Sequence, residues 1–442
     1  MKEENLKVVE GSEGPNHTRP GVKIPGYRWR ICALLFFATT LNYMDRHVLS
    51  ILAPTLQNEI GWNEIEYGYI VAAFQAAYGI GVVLVGKLLD NKGVRGLFAL
   101  AVSVWSLAGM AHAFAASVMG FVVSRFALGL GEAANFPAAL KTVSEWFPAK
   151  ERALVAGIFN AGSNVGIIAA ALIVPWITLN YDWQWAFISI GVLGFVWVVF
   201  WLLTYRKPEH HPQLSPSELT YIQVDHQQED EEAVHWKNVL LKKETIIICI
   251  VRFISDPTWW FLLFWLPKFL NERHGITLVD IGLPMITIYV IADIGSVAGG
   301  WASSNFIKNN RSIDYARKTT MLICAVGVIP IIFASQTDNI FIAVGLISLA
   351  AASHTGWMAN VYAIISDVFP RGAIGTVTGI SVLSAVGGGM VYATAVGYIL
   401  EKTGSYFMIF LMSGFAYLLA WVVLKIGIPD LKPIKFSDKQ QT

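Results

Sequence analysis

The chain has 442 residues, 55% hydrophobic and only 14% charged, against about 25% charged in soluble domains. Its mean hydropathy of +0.53 places most of that length in lipid, and a net charge of +1 gives no global electrostatic reason to bind nucleic acid. Three cysteines, Cys32, Cys249 and Cys324, fall in apolar stretches without a spaced framework and read as small core residues.

In chain order, the first 24 residues are polar and lack the apolar core of a cleavable signal peptide. Apolar segments of about 20 residues, the length that spans a bilayer as helix, then recur. They fall at 29–56, 66–86, 96–115, 118–141, 152–175, 184–204, 246–270, 281–304, 318–335, 340–365, 373–398 and 406–427. The pattern predicts an all-α membrane protein with twelve transmembrane helices. Six lie in an N-terminal bundle, 29–204, and six in a C-terminal bundle, 246–427. The polar interval 205–245, with RKPEHHPQLSPSEL and the acidic run Glu229 to Glu232, reads as a linker, and 1–28 and 428–442 read as tails. Basic residues set the orientation. With linker and tails in the cytosol, only Lys268, Arg273 and Lys402 lie towards the outer face and only Arg46, Arg125 and Arg252 lie within spans away from their ends, of 32 Lys and Arg in all.

The first span, WRICALLFFATTLNYMDRHVLSILAPTL, carries Asp45 and Arg46 near its middle. A charge at that depth costs a few kcal/mol and marks a substrate or ion pathway by default. Arg46 can grip a carboxylate through two parallel charge-assisted hydrogen bonds, with Tyr43 and Asn42 placed for hydroxyls. Asp45 can neutralise Arg46 or take a proton; alternatively the pair only joins helices. Between spans two and three, Gly86 to Arg95 reads GKLLDNKGVR. Gly86 and Gly93 permit a tight turn and close packing, and Asp90 can cap the next helix or pair with Arg95 across a gate. In span four, Arg125 and Glu132 lie seven residues apart and share a helix face. Glu132 is a candidate proton site with Arg125 holding its ionised form, or the two form a fixed latch.

In span five, Asn160, Ser163 and Asn164 sit at i, i+3 and i+4, a row that suits a polyhydroxylated ligand or a polar contact between helices. Arg252 and Asp256 open span seven four residues apart and are able to pair. Trp259, Trp260 and Trp265 follow as sugar-stacking or packing aromatics. Tyr289 and Asp293 share a face of span eight. His354, Trp357 and Asn360 lie in span ten, where His354 either titrates or is a hydrogen-bonded core histidine. The sequence has no ATP-binding loop and no metal-ligand spacing.

The chain repeats itself. FPAKERALVAGIFNAGSNVG from Phe147 aligns without gaps with FPRGAIGTVTGISVLSAVGG from Phe369, matching Gly157 to Gly379 and Gly166 to Gly388. The same offset sets Glu132 opposite His354. A same-direction repeat of six spans resembles the major facilitator fold. GKLLDNKGVR resembles that superfamily's signature between spans two and three, with Asn91 and Val94 departing from it. NYMDR, AAFQAAYG, RFALGLGEAANFPAALKTVSEWFPAKERA, DPTWWFLLFWLPKFL and HTGWMANVYAIISDVFP together resemble the bacterial hexuronate transporters, in the anion:cation symporter family of that superfamily.

The resemblance covers nearly the whole chain and implies proton-coupled import of sugar acids such as galacturonate and glucuronate, by alternating access, in a bacterial inner membrane. It implies a small sugar-acid anion and the lipid bilayer as partners, a monomer, no enzyme activity, and no cofactor beyond protons as coupling ion. It makes Arg46 the carboxylate anchor and Asp45, Glu132 and Arg125 the coupling group. It places Tyr43, Tyr78, Asn160, Asn164, His354, Trp357 and Asn360 around the sugar. Where the related galactonate transporters have a glutamine in span five and an asparagine in span eleven, this chain has Ser163 and Gly387, which fits a cyclic uronate better than a linear aldonate. An aldonate or glucarate transporter, and an uncoupled facilitator or exchanger, are the rival expectations.

Overall fold

A computed structural model describes residues 26–223 and 236–434. The acidic run Glu229 to Glu232, most of the expected N-terminal tail and the last residues of the C-terminal tail lie outside the described residues. The first part comprises α1 (Tyr27–Ile60), α2 (Glu64–Lys92), α3 (Val94–Ala111), α4 (Val118–Glu132), α5 (Asn135–Trp146), α6 (Ala149–Asn180) and α7 (Trp183–Thr204). Two short helices, α8 (Pro216–Gln223) and α9 (Trp236–Leu240), fall in the polar interval. The second part comprises α10 (Lys243–Ser255), α11 (Pro257–Phe264), α12 (Leu266–His274), α13 (Gly282–Lys308), α14 (Ile313–Val328), α15 (Ile340–Val368), α16 (Arg371–Thr403) and α17 (Phe407–Gly427). Among the described residues, ten helical stretches are long and apolar enough to cross a membrane. They do not include α1, with Asp45 and Arg46 in it, or α4, which stops at Glu132.

Two expected spans are broken, and proline chemistry explains both. Pro137 sits in the first turn of α5, where its missing N–H costs no helical bond but its ring would clash in a continuous helix. Span four therefore ends at Glu132 and restarts at Asn135. Pro257 and Pro267 do the same for span seven, which becomes α10, α11 and α12. Glu132 and Asp256 thus stand at helix breaks, though Ala133 and Asp256 keep helical backbone angles. The signature between spans two and three also differs from expectation. Gly86 lies inside α2, and Gly93 alone turns the chain, with φ of +73° and its N–H on the Leu89 carbonyl at 3.0 Å. The Asp90 side chain is outside the described ones, and Arg95 donates to the Leu202 carbonyl at 2.6 Å.

The repeat has the same physical content in both parts. Pro148 and Pro370 precede α6 and α16 with matching backbone, φ −63° and ψ 154° or 155°. A Cβ on Gly166 would fall 3.0 Å from Cβ of Tyr43 in α1, and one on Gly388 would fall 3.1 Å from Cα of Phe253 in α10. In each part the fifth span therefore lies against the backbone of the first at a matched glycine. The helices of each part pack mainly among themselves, α1 on α6 and α7 and α2 on α4 in the first, α13 on α15 and α10 on α16 and α17 in the second. The two parts meet where α2 runs along α16, α6 touches α13, and α1 meets α11 and α12.

Close helix approach identifies the stability-critical positions. A Cβ on Gly131 of α4 would lie 2.8 Å from the backbone nitrogen of Trp105 in α3, an atom that cannot yield. Gly131→Val is expected to abolish or severely reduce folded protein in detergent. Gly345→Ala, in α15 with nothing within 4 Å of the new methyl, should match or raise the melting temperature, because alanine restricts the unfolded chain and favours helix by about 0.5–1 kcal/mol.

Candidate functional site

At mid-depth, α1 and the break after α4 bring opposite charges together out of water. Arg46 is 3% exposed and Glu132 fully buried. Arg46 donates Nε at 3.0 Å and Nη2 at 2.7 Å to the same Glu132 oxygen, Oε2, and Nη2 also reaches Asn42 Oδ1 at 3.2 Å. Aromatic faces surround the guanidinium. Its carbon lies 4.6 Å from the Tyr43 ring centre, 5.0 Å from Phe74, 5.3 Å from Tyr78 and 5.9 Å from Trp260 of α11. A cation in such a cage is held by ring quadrupoles as well as by its ion pair. Phe74 carries no signal in the sequence and Trp260 stands there only as a stacking or packing aromatic; helix packing brings both to Arg46.

Arg125 is buried beside this pair but arranged otherwise than expected. It donates Nη2 to the Arg46 carbonyl at 3.2 Å, and Glu132 pairs with Arg46 instead. The Nε and Nη1 of Arg125, the second oxygen of Glu132 and both oxygens of Asp45 have no hydrogen-bond partner among the described residues. Asp45, 3% exposed, lies against Gly109 of α3, where a Cβ would come within 2.9 Å of its Oδ1. Asp45 therefore does not neutralise Arg46. The centre of the first part is a cluster of two guanidinium groups and two carboxylates with a single close ion pair.

The other candidates divide. Asn160 is exposed towards the side carrying the chain ends, while Ser163 bonds back to the Asn160 carbonyl at 2.6 Å. Asn164 donates to Asp293 of α13 and so bridges the two parts rather than forming a row with Asn160. His354 accepts or donates through Nδ1 at Tyr417 Oη, 2.6 Å away, and stacks on Trp259 with ring centres 4.7 Å apart. Trp357 is fully buried edge-on to Tyr417 at 5.4 Å. Asn360 is fully buried with its amide on the Gly299 and Gly356 carbonyls at 3.2 and 2.9 Å. The last two residues thus hold α15 to α13 and α17, because Gly299 and Gly356 let those backbones approach closely. In the second part, Arg252 pairs with Asp256 through Nε at 3.0 Å and Nη2 at 2.7 Å and donates Nη1 to Ser381 at 3.1 Å. The guanidinium lies 5.5 Å from the Tyr362 ring.

The contacts between the two parts are asymmetric. On the face away from the chain ends, fully buried Lys268 of α12 donates to Gln57 and Glu64, each at 2.5 Å. On that face too, Tyr67 Oη donates to the Phe264 carbonyl at 2.7 Å and Glu64 N–H to Glu401 at 3.1 Å. Asn164 to Asp293 is the hydrogen bond between the parts nearest the chain ends among the described residues. Beyond it Tyr362 and Leu383 are 42% and 40% exposed. Polar latches close the cleft on the face away from the chain ends.

Residues 35–391 match the family model described as Major Facilitator Superfamily. The chain is 31% identical over 387 residues to the hexuronate transporter of Escherichia coli K12, covering 86% of this chain and 90% of that one. It is 35% identical over 290 residues to the galacturonate transporter of Dickeya chrysanthemi, 65% of this chain and 84% of that one. A solved D-xylose–proton symporter shares the fold with a TM-score of 0.72 at 16% identity, over 93% of this chain and all of the other.

Breaking a buried ion pair from one side strands a charge and costs about 3–5 kcal/mol. Arg46→Met and Glu132→Gln should each lower thermal stability, and the double variant should lose less than the sum, with a coupling above about 1 kcal/mol in a melting-temperature cycle. Additive losses would mean that the two side chains are not paired.

Proposed function

The chain belongs to the major facilitator superfamily, a multi-pass membrane transporter rather than an enzyme, and from that premise we propose that it imports hexuronates such as galacturonate and glucuronate together with protons. The observation that carries this reading is the Arg46–Glu132 pair inside an aromatic cage. A substrate carboxylate bound bidentately by Arg46 competes with Glu132 for the same N–H groups. Once displaced, Glu132 is a buried carboxylate without its partner, a state that costs several kcal/mol. Protonation removes that cost, so substrate binding and proton binding favour each other. Tyr43, Tyr78 and Trp260 line the cage with ring faces and hydroxyls suited to a sugar.

Several features support the same reading. Curated relatives over most of the chain carry the names hexuronate and galacturonate transporter. A Cβ at Gly387 would meet only Phe253, at 4.0 Å, so a larger side chain fits there without a clash. The excess of basic residues on the side of the chain ends puts both termini in the cytosol of a bacterium. The Lys268 latches then close the outer face, and the six-helix bundles 29–204 and 246–427 rock about the central site, as a monomer.

Proteoliposomes with the purified protein should accumulate galacturonate under an inward proton gradient, competed by glucuronate. Glu132→Gln should lose accumulation while keeping exchange of labelled for unlabelled substrate; gradient-driven accumulation by that variant would remove Glu132 from coupling. Gly387→Asn, which restores a polar group where a linear aldonate needs one, should raise competition by galactonate relative to galacturonate by about tenfold, the worth of one good hydrogen bond to substrate. An unchanged ratio would take Gly387 out of substrate selection.

A further inference from the structure

The cations at the chain-end face fall into two groups. Some are paired with carboxylates: Arg317 with Asp367 at 2.9 Å, Lys318 with Asp314, Lys432 with Asp430 at 3.0 Å, and Arg28 with Glu151 and Glu218 at 2.9 and 3.1 Å. In the first part, Lys92, Arg95, Arg206 and Lys207 are all exposed and none has a carboxylate partner among the described residues. These four, with His210, line one cavity of about 360 Å³ between the start of α3 and the end of α7. The one carboxylate alongside with a described side chain that is not engaged is Glu209, which points into solvent from the turn; Glu145 is held by the Tyr205 hydroxyl at 2.5 Å. The N-terminus of α3 adds to the positive field, since its N-cap Gly93 offers no side chain to the first-turn N–H groups.

The walls of this cavity continue as apolar surface. Leu100, Val104 and Leu107 of α3 are exposed on one face at i, i+4 and i+7. Val196, Val199, Phe200 and Leu203 of α7 are exposed at i, i+3, i+4 and i+7, Leu203 to 75%. Between the helices, Trp197, Trp201 and Tyr205 stack in a column with centres 5.2 and 4.3 Å apart. Trp201 donates to the Arg95 carbonyl at 3.0 Å, fixing the column to the mouth of the cavity. These rings are buried and only wall the cavity; the exposed Lys and Arg at the end of an apolar face are what fit the headgroup level of a bilayer.

We propose that this cavity is a binding site for an anionic phospholipid, its phosphate headgroup among Lys92, Arg95, Arg206 and Lys207 and its acyl chains along the exposed faces of α3 and α7. The site is distinct from the central cleft and does not depend on which substrate the cleft carries.

The test is native mass spectrometry of the delipidated full chain titrated with phosphatidylglycerol or phosphatidylcholine. The natural sequence should prefer phosphatidylglycerol by about tenfold or more, and R206Q/K207Q should lose that preference, each charge near the surface contributing a several-fold factor. Lys432→Gln, at a paired cation on the same face, should leave it unchanged. If the double variant does not fold, Lys207→Gln in the exposed turn carries the test with a loss of about fivefold. Equal binding of the two lipids by the natural sequence, or an undiminished preference in the variants, overturns the proposal. Displacement of phosphatidylglycerol by millimolar inorganic phosphate would assign the cavity to a soluble anion and overturn the lipid.

Discussion

A single buried ion pair organises the centre of this protein. Arg46 and Glu132 lie at the depth where water is scarcest, and neither charge is tolerable there alone. Pairing with each other ties α1 to the end of α4. The pair also leaves Arg125 and Asp45 close by with unsatisfied hydrogen-bonding atoms among the described residues. Such a cluster is a poor way to gain stability and an effective way to make one binding event depend on another, because adding or removing one charge changes the cost of the rest.

Around that centre, packing follows from small residues. Gly131 lets α4 lie on α3, Gly166 lets α6 lie on α1, and Gly388 repeats the second arrangement in the other part. The two parts are each built from close internal contacts of this kind. Between them α2 and α16 approach as closely, a Cβ on Gly397 meeting the Glu64 carbonyl oxygen at 2.6 Å, and polar contacts join the rest, with Lys268, Gln57 and Glu64 closing one face and the Asn164–Asp293 bridge at mid-depth. Polar latches can exchange protein partners for water at small net cost. An interface made of them can open on one side without disturbing the packed interiors of either part.

Most helices were legible in the sequence because each is a local matter of apolar length, which does not register the breaks at Pro137, Pro257 and Pro267 inside apolar runs. The segment repeat from Phe147 and Phe369 was legible for the same reason, and the structure gives its glycines a shared task. Arg46 and Glu132 stood out because a charge in an apolar run has few explanations. Their pairing did not stand out: the seven-residue spacing of Arg125 and Glu132 pointed to the wrong partner, since a shared helix face says nothing of what a neighbouring helix offers. Trp357 and Asn360 are fully buried against neighbouring helices, yet Nε1 of Trp357 and Oδ1 of Asn360 have no partner among the described residues. A polar or aromatic side chain inside a span serves packing as readily as a cavity, and nothing local separates the two.

The sequence by itself determined an all-α membrane chain, its repeat, the buried charges and the likeness to the major facilitator superfamily, because hydropathy and motifs are properties of short stretches. Only the tertiary structure decided that Glu132 belongs to Arg46, that Phe74 and Trp260 complete the cage, that Asn164 bridges the two parts, and which face is closed. Each of these joins residues dozens to hundreds of positions apart, and such distances are set by helix-to-helix packing in three dimensions, which no spacing along the chain encodes.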